Sequence, residues 1–185
     1  VELSGSFGTY KTYNTGVKFS TGLLGNHFLF DGAYNETATD GYLHGTAGRS
    51  GSYYGGLTFL GDNFQIRYKN IGNFEKTGQA WSGVVAGNND ASLMGNDIKT
   101  YKDLYERGLG RFNPLYEGLV FDYDKWTFPT DANGKYQTYR YKMDNGSYWA
   151  KTTDNFYQNH NILSAAWKPN DSWSHNIALH YTYGH

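Results

Sequence analysis

Residues 157–183 decide the fold class and read YQNHNILSAAWKPNDSWSHNIALHYTY. Apolar and polar residues alternate on both sides of a Pro-Asn-Asp turn at 169–171. The apolar positions are Tyr157, Leu163, Ala165, Trp167, Trp173, Ile177, Leu179, Tyr181 and Tyr183. Successive side chains of a strand point to opposite faces of a sheet. The segment therefore predicts a β-hairpin with one apolar and one polar face.

The same alternation recurs in five further segments, which brings the predicted number of strands to seven. Their apolar positions are Val1, Leu3 and Phe7; Tyr13, Val17, Phe19 and Leu23; Phe28, Phe30, Tyr34 and Ala38; Tyr53, Leu57 and Phe59; and Phe64, Ile66, Tyr68 and Phe74. Tight turns are predicted at 25–26 and 61–63, and longer connections at 39–51 and 85–154. All tight turns fall at one end of the predicted sheet.

The composition indicates that apolar residues are scattered singly along the chain and do not form long continuous stretches. Aromatic residues make up 18% of the 185 residues, and hydrophobic residues only 38%. No stretch reaches the roughly 18 apolar residues that a membrane-spanning helix needs. The net charge of -1 argues against nucleic-acid binding, and the absence of cysteine excludes disulfides and cysteine-ligated metals.

These features predict an all-β chain that forms part of a transmembrane antiparallel up-and-down β-barrel. Short turns at one end and long loops at the other are typical of outer-membrane barrels, and aromatic residues cluster at both strand ends. The opposite face carries Lys18, Asp31, Arg67 and Lys69, which suit a wet lumen. We treat residues 1–185 as one barrel domain with about seven strands of a larger barrel. The alternative is a soluble sandwich or propeller, but the predicted strands exceed the usual soluble length of about 5–6 residues.

The long connection at 85–154 is predicted to be folded. Residues 97–107 have helical spacing, with Asn96 or Asp97 as the N-cap and Gly108 after the last turn. Asn133-Gly134 and Asn145-Gly146 predict two hairpin turns. Its many aromatic residues form either a small core of its own or the lining of a ligand mouth.

Three stretches resemble the TonB-dependent outer-membrane receptors, particularly those of Bacteroidota. They are GSFGTYKTYNTGVKFSTGLLGNHFLFDGAYNETATDGY at 5–42, FEKTGQAWSGV at 74–84 and NHNILSAAWKPNDSWSHNIALHYTYG at 159–184. The resemblance implies a 22-stranded barrel with an N-terminal plug in the Gram-negative outer membrane. It also implies import of a scarce nutrient (siderophore, haem, vitamin or oligosaccharide), with outer-membrane lipid and the TonB complex as partners.

We expect the chain to be part of a longer protein. It begins at Val1 without a signal peptide, and its first and last residues lie in strand patterns. The plug, the region that contacts TonB and the other barrel strands would lie outside it.

The predicted ligand contacts lie at the loop bases and in the long loop. They are Trp81, Tyr101, Tyr105, Arg107, Arg111 and Trp126. Aromatic rings suit a sugar, whereas arginines suit an anionic siderophore. A passive porin, another outer-membrane barrel and a soluble glycan-binding β protein are the alternatives. We expect no enzyme activity, cofactor or metal site.

Polar residues of the predicted lumen have structural interpretations. His160 and His180 face the lumen on paired strands, where they either hydrogen-bond or bind haem iron. We favour the hydrogen-bonded pair. Asp31, Glu36 and Glu75 are expected to pair with Lys18, Arg67 and Lys69.

Overall fold

A computed structural model describes residues 1–81, 98–149 and 153–185. Its elements are β1 (Glu2–Phe7), β2 (Tyr13–Leu24), β3 (Phe28–Thr39), β4 (Gly48–Leu60), β5 (Phe64–Gly78), α1 (Tyr101–Glu106), β6 (Glu117–Leu119), β7 (Thr138–Arg140), β8 (Thr153–Asn170) and β9 (Trp173–Gly184). The sheet unit comprises Val1–Thr39, Gly48–Thr77 and Asp154–His185, and the loop unit comprises Asp40–Ala47 and Gly78–Thr153.

The sheet unit is a seven-stranded antiparallel sheet, which confirms the all-β prediction. Its strand order is β1-β2-β3-β4-β5-β8-β9, so each strand lies beside its neighbour along the sheet unit. Every strand except β1 has 12 to 18 residues. The tight turns join β2 to β3, β4 to β5 and β8 to β9, as predicted. The longer connections are 40–47 and 79–152 rather than 39–51 and 85–154.

The strand register confirms one apolar face. Residues directly opposite each other share a face of the sheet. Phe28 lies opposite Phe59, and Phe30 lies opposite Leu57. In the β8–β9 pair, Leu163 lies opposite Leu179. We call this side the apolar face and the other side, which carries Lys18 and Lys69, the polar face.

A bulge corrects one predicted position, that of Leu23. The β2–β3 register shifts near the tight turn, where Gly22 adopts a φ of 67°. Leu23 lies opposite Leu29, and Leu24 lies opposite Phe28. Leu24 therefore shares the apolar face with Phe28, and Leu23 does not. The inserted residue breaks the two-residue period that the prediction assumed.

The apolar face also carries paired polar groups that the alternation did not predict. Asn70 Nδ2 donates to Asn159 Oδ1 at 3.0 Å and to Asn161 Oδ1 at 2.9 Å. Asn159 Nδ2 donates to Tyr53 Oη at 2.7 Å, and Tyr68 Oη donates to Asn161 Oδ1 at 2.6 Å. Asn159 is only 4% exposed, so the surrounding tyrosine and asparagine side chains cover it almost completely.

The prediction for Glu36 is wrong. Its carboxylate accepts hydrogen bonds from Tyr13 and Tyr34, each at 2.5 Å, and from Arg49 Nη2 at 2.6 Å. Arg49 lies opposite Ala38, so this pair occupies the apolar face near the end with the longer connections. The alternation pattern could not predict Arg49 as the partner of Glu36, because both residues stand at positions where the pattern expects apolar side chains.

On the polar face, Asp31 lies 3.7 Å from Arg67, which is one of the three bases expected to pair with the acidic residues. Lys18 instead lies 3.6 Å from Glu2. His160 Nδ1 lies 3.1 Å from His180 Nε2, in the hydrogen-bonded pair that we favoured. The hydroxyl of Thr182 lies 2.9 Å from both of these nitrogens.

The loop unit has a small core of its own. Its buried apolar residues are Ile98, Leu104, Leu109 and Phe112, with Leu119 and Tyr136 packed against them. Helix α1 is confirmed but shorter than predicted. Thr100 is its N-cap in place of Asn96 or Asp97, which lie outside the described residues. No helix within the described ranges is long and apolar enough to span a membrane.

Both predicted hairpin turns of the loop unit are confirmed. Gly134 and Gly146 adopt φ values of 76° and 79°, which glycine tolerates without strain. Thr130 bridges Tyr136 around the first turn, and Lys142 bridges Tyr148 around the second.

Candidate functional site

A cleft in the loop unit is the candidate functional site. Its volume is about 480 Å³, within the range of about 300–1,000 Å³ that is typical of ligand pockets. Its lining residues are Asp40, Gly45, Ala47, Tyr116, Arg140, Tyr148 and Trp149. The lining therefore combines aromatic rings with one acidic and one basic side chain.

One wall of the cleft is the connection 40–47, which buried polar groups hold in place. His44 Nδ1 lies 2.6 Å from Glu117 Oε1. The Asn113 side chain donates to the carbonyl of His44 at 2.8 Å and to that of Gln79 at 3.0 Å. Asn113 is only 1% exposed. Because the two carbonyls are partly shielded from water and need donors, the Asn113 side chain joins its own segment to two others.

Gly45 allows this wall to approach Tyr116. Its φ is 77°, in the left-handed region that favours glycine. A Cβ at Gly45 would lie 2.3 Å from the Tyr116 ring. Any larger residue would push the 40–47 connection away from the ring, so the shape of the cleft depends on this glycine.

Arg140, at the end of β7, is stacked between two rings of the cleft. Its guanidinium carbon lies 3.7 Å from the Tyr116 ring centroid and 4.9 Å from that of Tyr148. Its Nη2 donates to the carbonyl of Trp149 at 3.5 Å. Its Nε is buried and has no hydrogen-bond partner among the described residues. An unsatisfied buried donor costs about 1–3 kcal/mol.

The second hairpin supplies the remaining wall. The Asn145 side chain accepts a hydrogen bond from the Ser147 amide at 3.0 Å within the turn. The Trp149 backbone amide donates to the carbonyl of Tyr141 at 2.8 Å. This hydrogen bond fixes the backbone of the residue that carries the indole. Tyr141 donates to the carbonyl of Pro114 at 3.0 Å, and its burial raises its pKa. The Trp149 side chain is half exposed on this anchored backbone.

Three of the six predicted ligand residues gather around Tyr42. Tyr101 and Tyr105 lie one helical turn apart on α1, with ring centroids 5.2 Å apart. Both hydroxyls contact the Tyr42 hydroxyl, and the bond to Tyr101 raises the pKa of Tyr42. Arg111 Nε donates to the Tyr42 carbonyl at 2.6 Å. These side chains fasten the 40–47 connection to the core of the loop unit.

The other three predicted residues lie apart from this cluster. Arg107 donates to the carbonyl of Gly134 at 3.1 Å. Trp81 donates to the Gln79 side chain at 2.9 Å and is 74% exposed. Trp126 packs edge-on against Phe121 and is 78% exposed. None of the six predicted residues lines the cleft.

Asp40, Arg140 and Tyr148 line the cleft and were missed by the sequence interpretation. One signal was available for the last two. The Asn145-Gly146 turn places Arg140 and Tyr148 on the two arms of one hairpin. The predicted turn could therefore have indicated that their side chains lie close together. No comparable local signal exists for Asp40, which reaches the cleft only through the contacts of its connection.

The cleft presents aromatic rings suited to stacking and two charged side chains suited to hydrogen bonding. Within the described residues there is no group of three or more side chains able to hold a metal ion. Comparison with protein-family models, curated proteins and solved structures finds no match to this chain. The resemblance to TonB-dependent receptors therefore stays a prediction.

Proposed function

We propose that the chain forms part of the wall of an outer-membrane β-barrel and that this barrel is a TonB-dependent nutrient receptor. The observation that carries the proposal is the single apolar face of a sheet with long strands. In this proposal the tight turns are periplasmic, and the connections 8–12, 40–47 and 79–152 are extracellular. The loop unit then captures the nutrient at the cell surface.

Exposed apolar side chains along the strands support a lipid-covered face. Ile177, Leu179 and Tyr181 of β9 are 62–65% exposed. Contiguous apolar surface of this kind marks contact with a membrane or a protein. Tight turns at one end of the sheet and long connections at the other favour an outer-membrane barrel over a soluble sandwich.

The polar residues of the apolar face are compatible with lipid because they satisfy one another. Inside a bilayer, polar side chains pair with one another or with backbone groups, since lipid offers no hydrogen bonds. Asn70, Asn159 and Asn161 form such a closed amide network. Glu36 and Arg49 form an ion pair toward the connection end, which suits the membrane interface.

The first experiment asks which face meets lipid. Residues 1–185 contain no cysteine, so a single cysteine introduced here can carry a spin label in the full-length protein in bilayers once any cysteine outside these residues is replaced. Ile177→Cys, on the apolar face, should collide mainly with oxygen. Its neighbour Asn176→Cys, on the polar face, is the matched control and should collide mainly with a water-soluble nickel chelate. Equal access of the chelate to both positions would contradict the membrane wall.

The second experiment tests transport. Deleting the full-length gene should abolish energy-dependent uptake of the nutrient, and uptake should also fail when TonB is removed. Uptake that persists without TonB would favour the passive porin. Full-length protein that stays soluble and monomeric without detergent would favour a soluble glycan-binding protein, which the aromatic cleft would also suit.

A further inference from the structure

We propose that the cleft between the 40–47 connection and the 142–148 hairpin binds a neutral saccharide of one or two rings. This inference rests on the proposed function, because it names the class of nutrient that the proposed receptor captures. The geometry that carries it is the combination of Trp149, Arg140 and Asp40 around one cavity.

Trp149 is the stacking platform of the proposed site. Its backbone is fixed by hydrogen bonds on both sides, to Tyr141 and from Arg140, while half of the side chain remains accessible. An exposed ring on a fixed backbone loses little entropy when a ligand covers it. The C–H face of a pyranose ring is apolar and flat enough to cover an indole.

Arg140 and Asp40 supply the complementary polar groups. A sugar hydroxyl both donates and accepts, so one hydroxyl can donate to the Asp40 carboxylate while its neighbour accepts from the guanidinium. The guanidinium carbon lies over both the Tyr116 ring and the Tyr148 ring, and these two contacts restrict its position. Its donors are therefore oriented before the ligand arrives, which favours a ligand with oxygens at fixed spacing.

The charges of the lining favour a neutral ligand. The cleft contains one acidic and one basic side chain, Asp40 and Arg140. An anionic siderophore would approach the Asp40 carboxylate, and a cationic ligand would approach the Arg140 guanidinium. Like charges within a partly desolvated site cost binding free energy, so both ligand classes are disfavoured relative to a saccharide.

The experiment measures saccharide binding by the full-length protein in detergent with isothermal titration calorimetry. The probes are maltose, cellobiose, mannobiose and N,N′-diacetylchitobiose, with digalacturonic acid as the anionic comparison. We expect at least one neutral disaccharide to bind, and digalacturonic acid to bind at least tenfold more weakly. Failure of all four neutral probes, or preferential binding of the anionic probe, would overturn the proposal.

Two variants locate the binding site. Trp149→Ala should weaken binding of the best neutral probe by about tenfold or more, because the stacking surface is lost. Asp40→Asn should weaken it by about fivefold, because an amide oxygen accepts more weakly than a carboxylate. Tyr123→Ala is the control, since Tyr123 is an exposed aromatic residue of the loop unit that does not line the cleft. It should change affinity by less than about twofold.

Failure of this proposal is distinguishable from failure of the proposed function. If TonB-dependent uptake of a non-saccharide persists while no neutral probe binds, the receptor function stands and the saccharide site is wrong. If a neutral probe binds and Trp149→Ala weakens it, but the protein is absent from the outer membrane, the cleft assignment stands and the receptor function is wrong. Equal losses of affinity in Trp149→Ala and Tyr123→Ala would also overturn the cleft assignment.

Discussion

At the scale of single residues, Asn113 shows how a buried amide organises a segment that has little apolar core. Its side chain donates to two carbonyls and accepts from the Leu115 amide at 3.1 Å. The partners lie in connections far apart in the sequence. One side chain therefore provides hydrogen bonds that secondary structure provides elsewhere.

We predict that Asn113→Ala destabilises the loop unit by about 2–3 kcal/mol, because two partly buried carbonyls lose their donor. Amide hydrogen exchange checks this as faster exchange across residues 98–119. The control is Asn133→Ala at an exposed turn, with an expected effect within about 0.5 kcal/mol. Equal exchange in the two variants would show that Asn113 does not stabilise the unit.

At the scale of elements, α1 is a short helix whose first turn depends on a capping box. Thr100 accepts from the Asp103 amide at 3.2 Å, and the Asp103 carboxylate accepts from the Thr100 amide at 2.7 Å. Hydrogen bonds from the backbone amides of Lys99 and Thr100 lower the pKa of Asp103. The helix presents Tyr101 and Tyr105 to Tyr42, so its cap also positions the connection 40–47.

The lowered pKa gives α1 a pH dependence of known sign. A carboxyl whose pKa is lower in the folded state stabilises it above the ordinary pKa of about 4 and loses this effect as the pH falls through the lowered value. We therefore predict that amide exchange in α1, corrected for its intrinsic pH dependence, accelerates on acidification. Asp103→Asn should flatten this response, and Asp144→Asn, at an exposed position in the second hairpin turn, should leave it intact. A response that survives Asp103→Asn would contradict the assignment.

The bulge in β2 makes a separate prediction at the element scale. Because the register shifts beside Gly22, Leu24 and not Leu23 shares the apolar face with Phe28. In the full-length protein, Leu23→Cys should react with a water-soluble maleimide at least about tenfold faster than Leu24→Cys in a bilayer. Each variant is the control for the other, since both positions lie near the same turn. Faster reaction of Leu24→Cys than of Leu23→Cys would contradict the bulge and show that the two-residue alternation continues through β2.

At the scale of the whole molecule, the sheet unit and the loop unit have separate stabilising interactions. The strands hold one another through ladder hydrogen bonds, whereas the loop unit packs around Ile98, Leu104, Leu109 and Phe112. β5 and β8 are neighbours in the sheet even though residues 79–152 separate them in the sequence. The strands of the sheet therefore follow one another in sequence order, with the loop unit inserted between two adjacent strands.

We predict that replacing residues 79–152 by a short Gly-Ser linker leaves a β-rich protein that still inserts into the outer membrane but no longer binds its nutrient. Far-UV circular dichroism, membrane fractionation and calorimetry measure these three properties. The control inserts the same linker after Gly78 and keeps the loop unit. Loss of insertion in the replacement variant alone would mean that the sheet depends on the loop unit.

The sequence by itself determined the properties that repeat with a short period. Apolar residues at every second position are a local signal, so the seven strands of the large sheet, its two faces and its tight turns were predicted correctly, whereas the short strands β6 and β7 were not predicted. The Asn133-Gly134 and Asn145-Gly146 turns were equally local, because glycine tolerates the positive φ that each turn requires. The prediction failed where one inserted residue at the β2 bulge broke the period.

Only the tertiary structure decided which distant groups meet. The pairing of Glu36 with Arg49 depends on the register of β3 against β4, which pattern alone did not specify. The cleft is a stronger case, because Asp40, Tyr116 and Arg140 come from three separated segments. Their approach is set by Asn113, by the absence of a Cβ at Gly45 and by the folding of a long connection. None of these has a periodic signature, so sequence reasoning selected exposed aromatic and arginine residues instead.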